Sequence, residues 1–150
     1  MKLKQITIAI ENAPGRLFEV THALGEAGIN LRALSLVDTG AFGQLRLLVS
    51  DVAKARRILM EMHMPAQINE VVAVEIDDKP GSLARMLRPL KDANIQVLYT
   101  YAFVGFSQGR AIMVFLFSNN DRAIKILQEN GMQILDPESF GILESANNGK

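Results

Sequence analysis

Asn12-Ala13-Pro14-Gly15-Arg16-Leu17 returns 66 residues later as Asp78-Lys79-Pro80-Gly81-Ser82-Leu83, and this recurrence decides how the 150-residue chain is read. In each copy a β-rich apolar run, Ile6 to Ile10 and then Val71 to Ile76, stops at polar residues and a Pro-Gly pair. An amphipathic helical pattern then begins. Proline fixes φ and glycine permits the conformations of a tight turn, so the pair marks a sharp strand-to-helix junction. Such a junction leaves helical N–H groups facing outward at the positive end of the helix dipole, where a carboxylate or phosphate can dock. Many Pro-Gly turns bind nothing, and it is the repetition of the whole surrounding unit that raises the functional reading.

Outward from the first junction, residues 3 to 10 alternate as a strand and Leu17, Val20, Leu24 and Ala27 form one helical stripe that Gly28 ends. Leu31 to Val37 reads as a second strand with apolar residues on both faces, so its outer face is expected to be covered by the other copy or a second subunit. Asp38-Thr39-Gly40 turns the chain into a third strand, Gln44 to Val49. Ser50 or Asp51 caps a second helix with the stripe Val52, Ala55, Leu59 and Met62, and Gln67 to Val71 is the fourth strand. The order β, α, β, β, α, β with right-handed crossovers predicts a four-stranded antiparallel sheet with two helices on one face, the ferredoxin-like arrangement.

The second copy repeats this order. Pro89 falls inside its first helix, where it removes a hydrogen bond and predicts a kink or irregular helix. A turn at Gly105 to Gly109 makes the second hairpin two residues longer, and Asn119 to Asp121 caps the last helix. The expected fold class is therefore α+β, two such units in tandem, divided as residues 1–70 and 71–150. An extra C-terminal strand is expected near 140–144, pairing within the chain or with a partner, and Asn147 to Lys150 reads as a frayed tail.

Charge excludes some functions. The 16 basic and 16 acidic residues cancel, so no global field attracts nucleic acid or an anionic membrane. The absence of cysteine removes disulfides, thiol nucleophiles and thiolate metal sites. No apolar run is long enough for a signal or a span, which places the protein by default in the cytoplasm. His22 and His63 have no counterparts in the second copy and no metal-ligand spacing, so no metal site is expected. Asp77 and Asp78, adjacent on a strand, point to opposite faces and make a poor acid/base pair. Glycine-rich phosphate and dinucleotide patterns are missing, so neither a catalytic set nor a cofactor is expected. Tyr99, Tyr101 and Phe103 alternate as base-stacking rings would, but the third strands lack the basic and aromatic signature of RNA recognition. These rings read as core or contact residues.

The loops carry more. Asn12 and the N–H groups around Gly15 to Leu17 offer an amide and an anion-binding helix end, and Glu11 an acceptor for a cation. Asp78 with Gly81 to Leu83 repeats the geometry with a negative charge suited to ammonium. Together these suit a zwitterion, a free amino acid. Arg16 in the first helical turn is unfavourable against the dipole by roughly 0.3 to 1 kcal/mol, which a bound carboxylate would relieve; alone it reads as a solvated arginine. Gly15→Val or Gly81→Val is expected to block ligand approach while leaving the fold.

These two loops, with Gly28-Ile29-Asn30 and Asn94-Ile95-Gln96 about a dozen residues beyond them, make the chain resemble a tandem ACT-domain protein over residues 3 to 144. The resemblance implies non-catalytic regulatory modules that bind amino acids at interfaces between neighbouring domains. Carried over, the ligand-binding positions are Asn12, Pro14, Gly15, Arg16, Leu17, Ile29 and Asn30 in the first copy. In the second they are Asp78, Pro80, Gly81, Ser82, Leu83, Ile95 and Gln96. The second copy departs from the pattern at Asn94 and Gln96, so one site per pair of copies stands beside two. The chain resembles stand-alone double-ACT proteins, implying a homodimer with a free amino acid as ligand. At greater distance it resembles the regulatory subunit of acetolactate synthase, implying a biosynthetic enzyme as partner.

Overall fold

Alternation along β1 (Leu3–Glu11) sets the frame of the first repeat. Ile6, Ile8 and Ile10 are buried and lie in register with Leu47, Leu45 and Gly43 of the antiparallel β3 (Phe42–Val49). The computed structural model describes residues 1–144, the side chains of residues 104–107 excepted. β2 (Leu31–Asp38) continues the apolar side, with Leu34 opposite Leu47 and Leu36 opposite Leu45. α1 (Arg16–Glu26) buries Val20 and Leu24, and α2 (Val52–Glu61) buries Val52, Ala55 and Leu59, as their stripes predict. The other side of β1 buries two polar residues, Gln5 and Thr7. Gln5 Nε2 donates to Thr7 Oγ1 (3.1 Å), which donates to Asn69 Oδ1 (2.7 Å) at the start of β4 (Gln67–Asp77). The fourth strand of one repeat and the first of the next are this single strand.

β2 ends with its apolar residues uncovered among the described residues: Leu34, Leu36 and Val37 are 44%, 46% and 42% exposed, beside Phe42 on β3 at 52%. The expected cover for this strand is not supplied within its own repeat.

The second repeat is built alike. β4 pairs antiparallel with β6 (Arg110–Phe117), β6 with β5 (Val97–Ser107), and β4 also with β7 (Gln133–Leu135). Val72, Val74, Ile76 and Phe115 meet Met86 and Leu90 of α3 (Ser82–Asp92) and Ala123 and Leu127 of α4 (Asn120–Glu129) in one core. α3 runs unbroken through Pro89: its buried face, Met86 and Leu90, brackets the proline, and Ala93 N still donates to Pro89 O (3.1 Å). The turn expected at Gly105 to Gly109 is tighter. Ser107 pairs with Arg110 around Gln108-Gly109, and the two extra residues are taken up as a bulge between Val104 and Ser107.

Asn94 stands where the first repeat has Gly28, and both hold positive φ, 60° and 78°. Asparagine is among the few residues that enter this region readily, so the departure preserves the backbone that ends each helix.

Contacts divide the chain differently from the expected 1–70 and 71–150. One compact unit holds Lys4–Asn69 with residues 137–144, the other Met1–Leu3 with Glu70–Asp136. The C-terminal segment is tied to the first repeat. Leu143 N donates to Ser50 O (2.8 Å) and Val52 N to Leu143 O (2.8 Å). Arg32 Nε donates to Gly141 O (3.0 Å), and Lys4 N to a Glu144 carboxylate oxygen (2.7 Å). The extra strand reduces to a single parallel bridge, Asp51 to Leu143, after one helical turn, α5 (Pro137–Phe140). Proline at a first helical position opens that turn and Gly141, at φ 74°, ends it. The expected tail, Asn147 to Lys150, lies outside the described residues.

Both second helices are capped from the side chain. Asp51 accepts from Lys54 N (3.1 Å) and Asn119 from Arg122 N (3.0 Å). Asp51→Ala is expected to lower stability by about 1 kcal/mol, read as a shifted denaturation midpoint at constant slope.

Candidate functional site

The two strand-to-helix loops have nearly the same backbone. Gly15 is the N-cap of α1 at φ 87°, Gly81 that of α3 at φ 84°, and neither helix receives a side-chain cap. Each loop is anchored to the tip of its repeat's hairpin: Asn12 N donates to Ala41 O (3.0 Å), Asp78 N to Gly109 O (2.9 Å). The glycines answer the turn's demand for a left-handed residue, which a β-branched side chain meets only with strain. The expectation that Gly15→Val and Gly81→Val leave the fold untouched is therefore corrected.

In the first repeat, Asn12, Arg16 and Leu17 line a cleft of about 220 Å³ with Glu11, Leu36 and Asp38. Asn12 Nδ2 donates to Gly40 O (3.1 Å) and Asp38 Oδ1 (3.3 Å). Arg16 is no lone cation: it pairs with Glu11 (2.8 Å) and Glu19 (2.9 Å). Its pKa is raised, first by the hydrogen bond to Glu11 and then by that to Glu19. The unfavourable charge at the helix start is relieved by the chain's own carboxylates, Glu11 among them, rather than left open.

In the second repeat the charges are rearranged. Ser82 lines a cleft of about 280 Å³ with Glu75, Asp77, Arg85, Arg110 and Gln133. Arg110 bonds Glu75 (2.7 Å) and Asp77, and its pKa is raised, foremost by the Glu75 hydrogen bond, with burial opposing. Arg85 donates to Ser82 Oγ (3.2 Å), and no carboxylate of the described residues forms an ion pair with it. Pro14 and Gly15, like Asp78, Pro80 and Gly81, are exposed on their loops, and Leu83 packs against the core.

The second half of each expected set lies elsewhere. Ile29 and Ile95 are buried. Asn30 N donates to Ser50 Oγ (2.8 Å) and Gln96 N to Ser118 Oγ (3.0 Å), at the far end of the first helix of each repeat. An 11-residue helix spans about 16 Å at 1.5 Å per residue, so no single repeat brings its loop and its second-strand residues together. Glu75, Arg85 and Arg110 were missed by sequence reasoning. A signal existed for Arg85: at the common offset it replaces Glu19, as Ser82 replaces Arg16.

Among the described residues no cluster of potential metal ligands is present, and no helix is long and apolar enough to cross a membrane. A βαββαβ unit used twice, with glycine-capped loops repeated in register, defines a paired ferredoxin-like protein. The family model for the ACT domain pair matches residues 1–143, and the chain belongs to that family, whose domains are regulatory modules. A protein of Bacteroides thetaiotaomicron with a known crystal structure is 36% identical, over 95% of this chain and 98% of its own, with a TM-score of 0.89. The fold also matches the regulatory subunit of aspartate kinase from Thermus thermophilus at 17% identity, covering 84% of this chain and 90% of that one, TM-score 0.61. Aspartate kinase from Clostridium acetobutylicum matches at 16% identity over 85% of this chain and 32% of its own, TM-score 0.55. Comparison with curated proteins gives no match.

Proposed function

We propose that this chain is a non-catalytic, cytoplasmic regulatory protein that binds a free amino acid at its strand-to-helix loops and passes occupancy on through association. The observation that carries the reading is the repeated loop itself: a left-handed glycine, a helix start without a side-chain cap, and a cleft lined by charges of both signs. A zwitterion needs both signs within a few ångströms. The uncovered residues Leu34, Leu36, Val37 and Phe42, of which Leu36 lines the first cleft, favour a homodimer, in which a ligand that bridges an interface stabilises the closed state. In such an assembly Ile29, Asn30, Ile95 and Gln96 of one copy reach the loops of another. The same apolar strand favours a second reading, a regulatory partner of an amino-acid biosynthetic enzyme, comparable to the acetolactate synthase subunit, acting through protein contacts.

The test is a thermal-shift screen against the common amino acids, followed by titration of each hit. Ligand at 100 times its dissociation constant is expected to add about 2.7 kcal/mol, several degrees for a domain of this size. No shift with any amino acid moves the weight to the protein-partner reading, for which copurification of a catalytic subunit is the measurement.

A further inference from the structure

We infer that the carboxylate of the ligand is held in the second repeat, by Arg85 and Ser82, and its ammonium by Asp77 and Glu75 across the same cleft; this rests on the amino-acid reading above and deepens it. The two repeats place their cations at non-equivalent positions. In the first, Arg16 is consumed by Glu11 and Glu19. In the second, Ser82 and Arg85 stand where Arg16 and Glu19 would, so the charge one turn into the helix is reversed and has no carboxylate partner among the described residues.

The cleft is polarised. Ser82 is 7% exposed, its hydroxyl bonded to Arg85. The guanidinium is seated against the loop, with Arg85 Nη1 3.0 Å from where a side chain on Gly81 would begin. On the other wall Arg110 is shared between Glu75 and Asp77, one cation against two carboxylates, leaving one net negative charge. A planar, permanently charged guanidinium on one wall and a surplus carboxylate on the other match the two ends of an α-amino acid. Gln133, the first residue of β7 and the register partner of Glu75, supplies an amide at the rim.

The experiment uses the full chain and three probe sets: the common amino acids, their N-acetyl derivatives and the corresponding decarboxylated amines. Affinity is measured by titration for wild type, Arg85→Gln, Asp77→Asn, Arg16→Gln and the exposed control Arg57→Gln, each checked for folding by circular dichroism. An amino acid that binds wild type is expected to lose at least tenfold in Arg85→Gln and in Asp77→Asn and to stay within twofold in Arg57→Gln, while acetylated and decarboxylated forms bind at least tenfold more weakly. Loss in Arg16→Gln with full affinity in Arg85→Gln overturns the placement and leaves the amino-acid reading standing. Wild-type protein that binds no amino acid overturns both.

Discussion

Phe115→Ala is expected to remove about 3–5 kcal/mol from the free energy of unfolding, the range for deleting a buried ring. Phe115 is 1% exposed, sits on β6 opposite Val72 of β4 and Thr100 of β5, and stacks on Phe117 with centroids 4.9 Å apart. Its ring is the largest fully buried side chain among the described residues. Removing it leaves a void that Val72, Leu90 and Leu127 must fill, and interiors relax only in part. Against a typical total of about 5–15 kcal/mol the variant stands near its unfolding threshold. Leu98→Ala, on a half-exposed residue of the edge strand β5, is the comparison and is expected to change stability by no more than about 0.5 kcal/mol. Denaturant titration of both decides the matter; a Phe115→Ala loss below about 1 kcal/mol would contradict the core described.

Gly81→Val is expected to be the more damaging of two equivalent loop substitutions. At φ 84° an L-residue loses roughly 1–3 kcal/mol, with β-branched side chains at the upper end. Gly15→Val meets the same conformational cost at φ 87°, with no atom within 4 Å of the added Cβ. At Gly81 the Cβ also approaches Arg85 Nη1 to 3.0 Å, so the guanidinium must move. Both variants lower the denaturation midpoint, and only Gly81→Val shifts the NMR signal of the Arg85 side-chain Nε–H. Equal spectra at Arg85 in the two variants would refute the close packing of that side chain on the loop.

The order of elements was legible because each boundary has a local chemical cause. Pro14-Gly15 and Pro80-Gly81 open the helices, Asp51 and Asn119 cap the second ones, and Ile6, Ile8 and Ile10 alternate as the apolar face of a strand must. Pro89 could be placed inside the first helix of the second repeat from the sequence, and burial of Met86 and Leu90 on either side of it is a tertiary gain that offsets the local penalty. The fate of Pro137 to Leu143 was hidden, because its partners, Arg32, Ser50 and Val52, are remote in sequence. Of the candidate site, the loops could be read from their repetition. Their charge pairing could not, because Arg110 reaches Glu75 and Asp77 only through strand pairing. Arg16, read alone, is a cation at the wrong end of a helix; only with Glu11 and Glu19 folded against it is the charge accounted for.

The bond from Lys4 N to Glu144 joins residues 140 apart in the sequence. Multidomain chains ordinarily complete their N-terminal unit first as they leave the ribosome. Here that order is reversed: the first repeat is translated early but waits for Pro137 to Leu143, made after the whole of the second repeat. The second repeat, contiguous from Glu70 to Asp136 apart from Met1–Leu3, has all its segments earlier. The half of the protein that starts first is thus the half that finishes last.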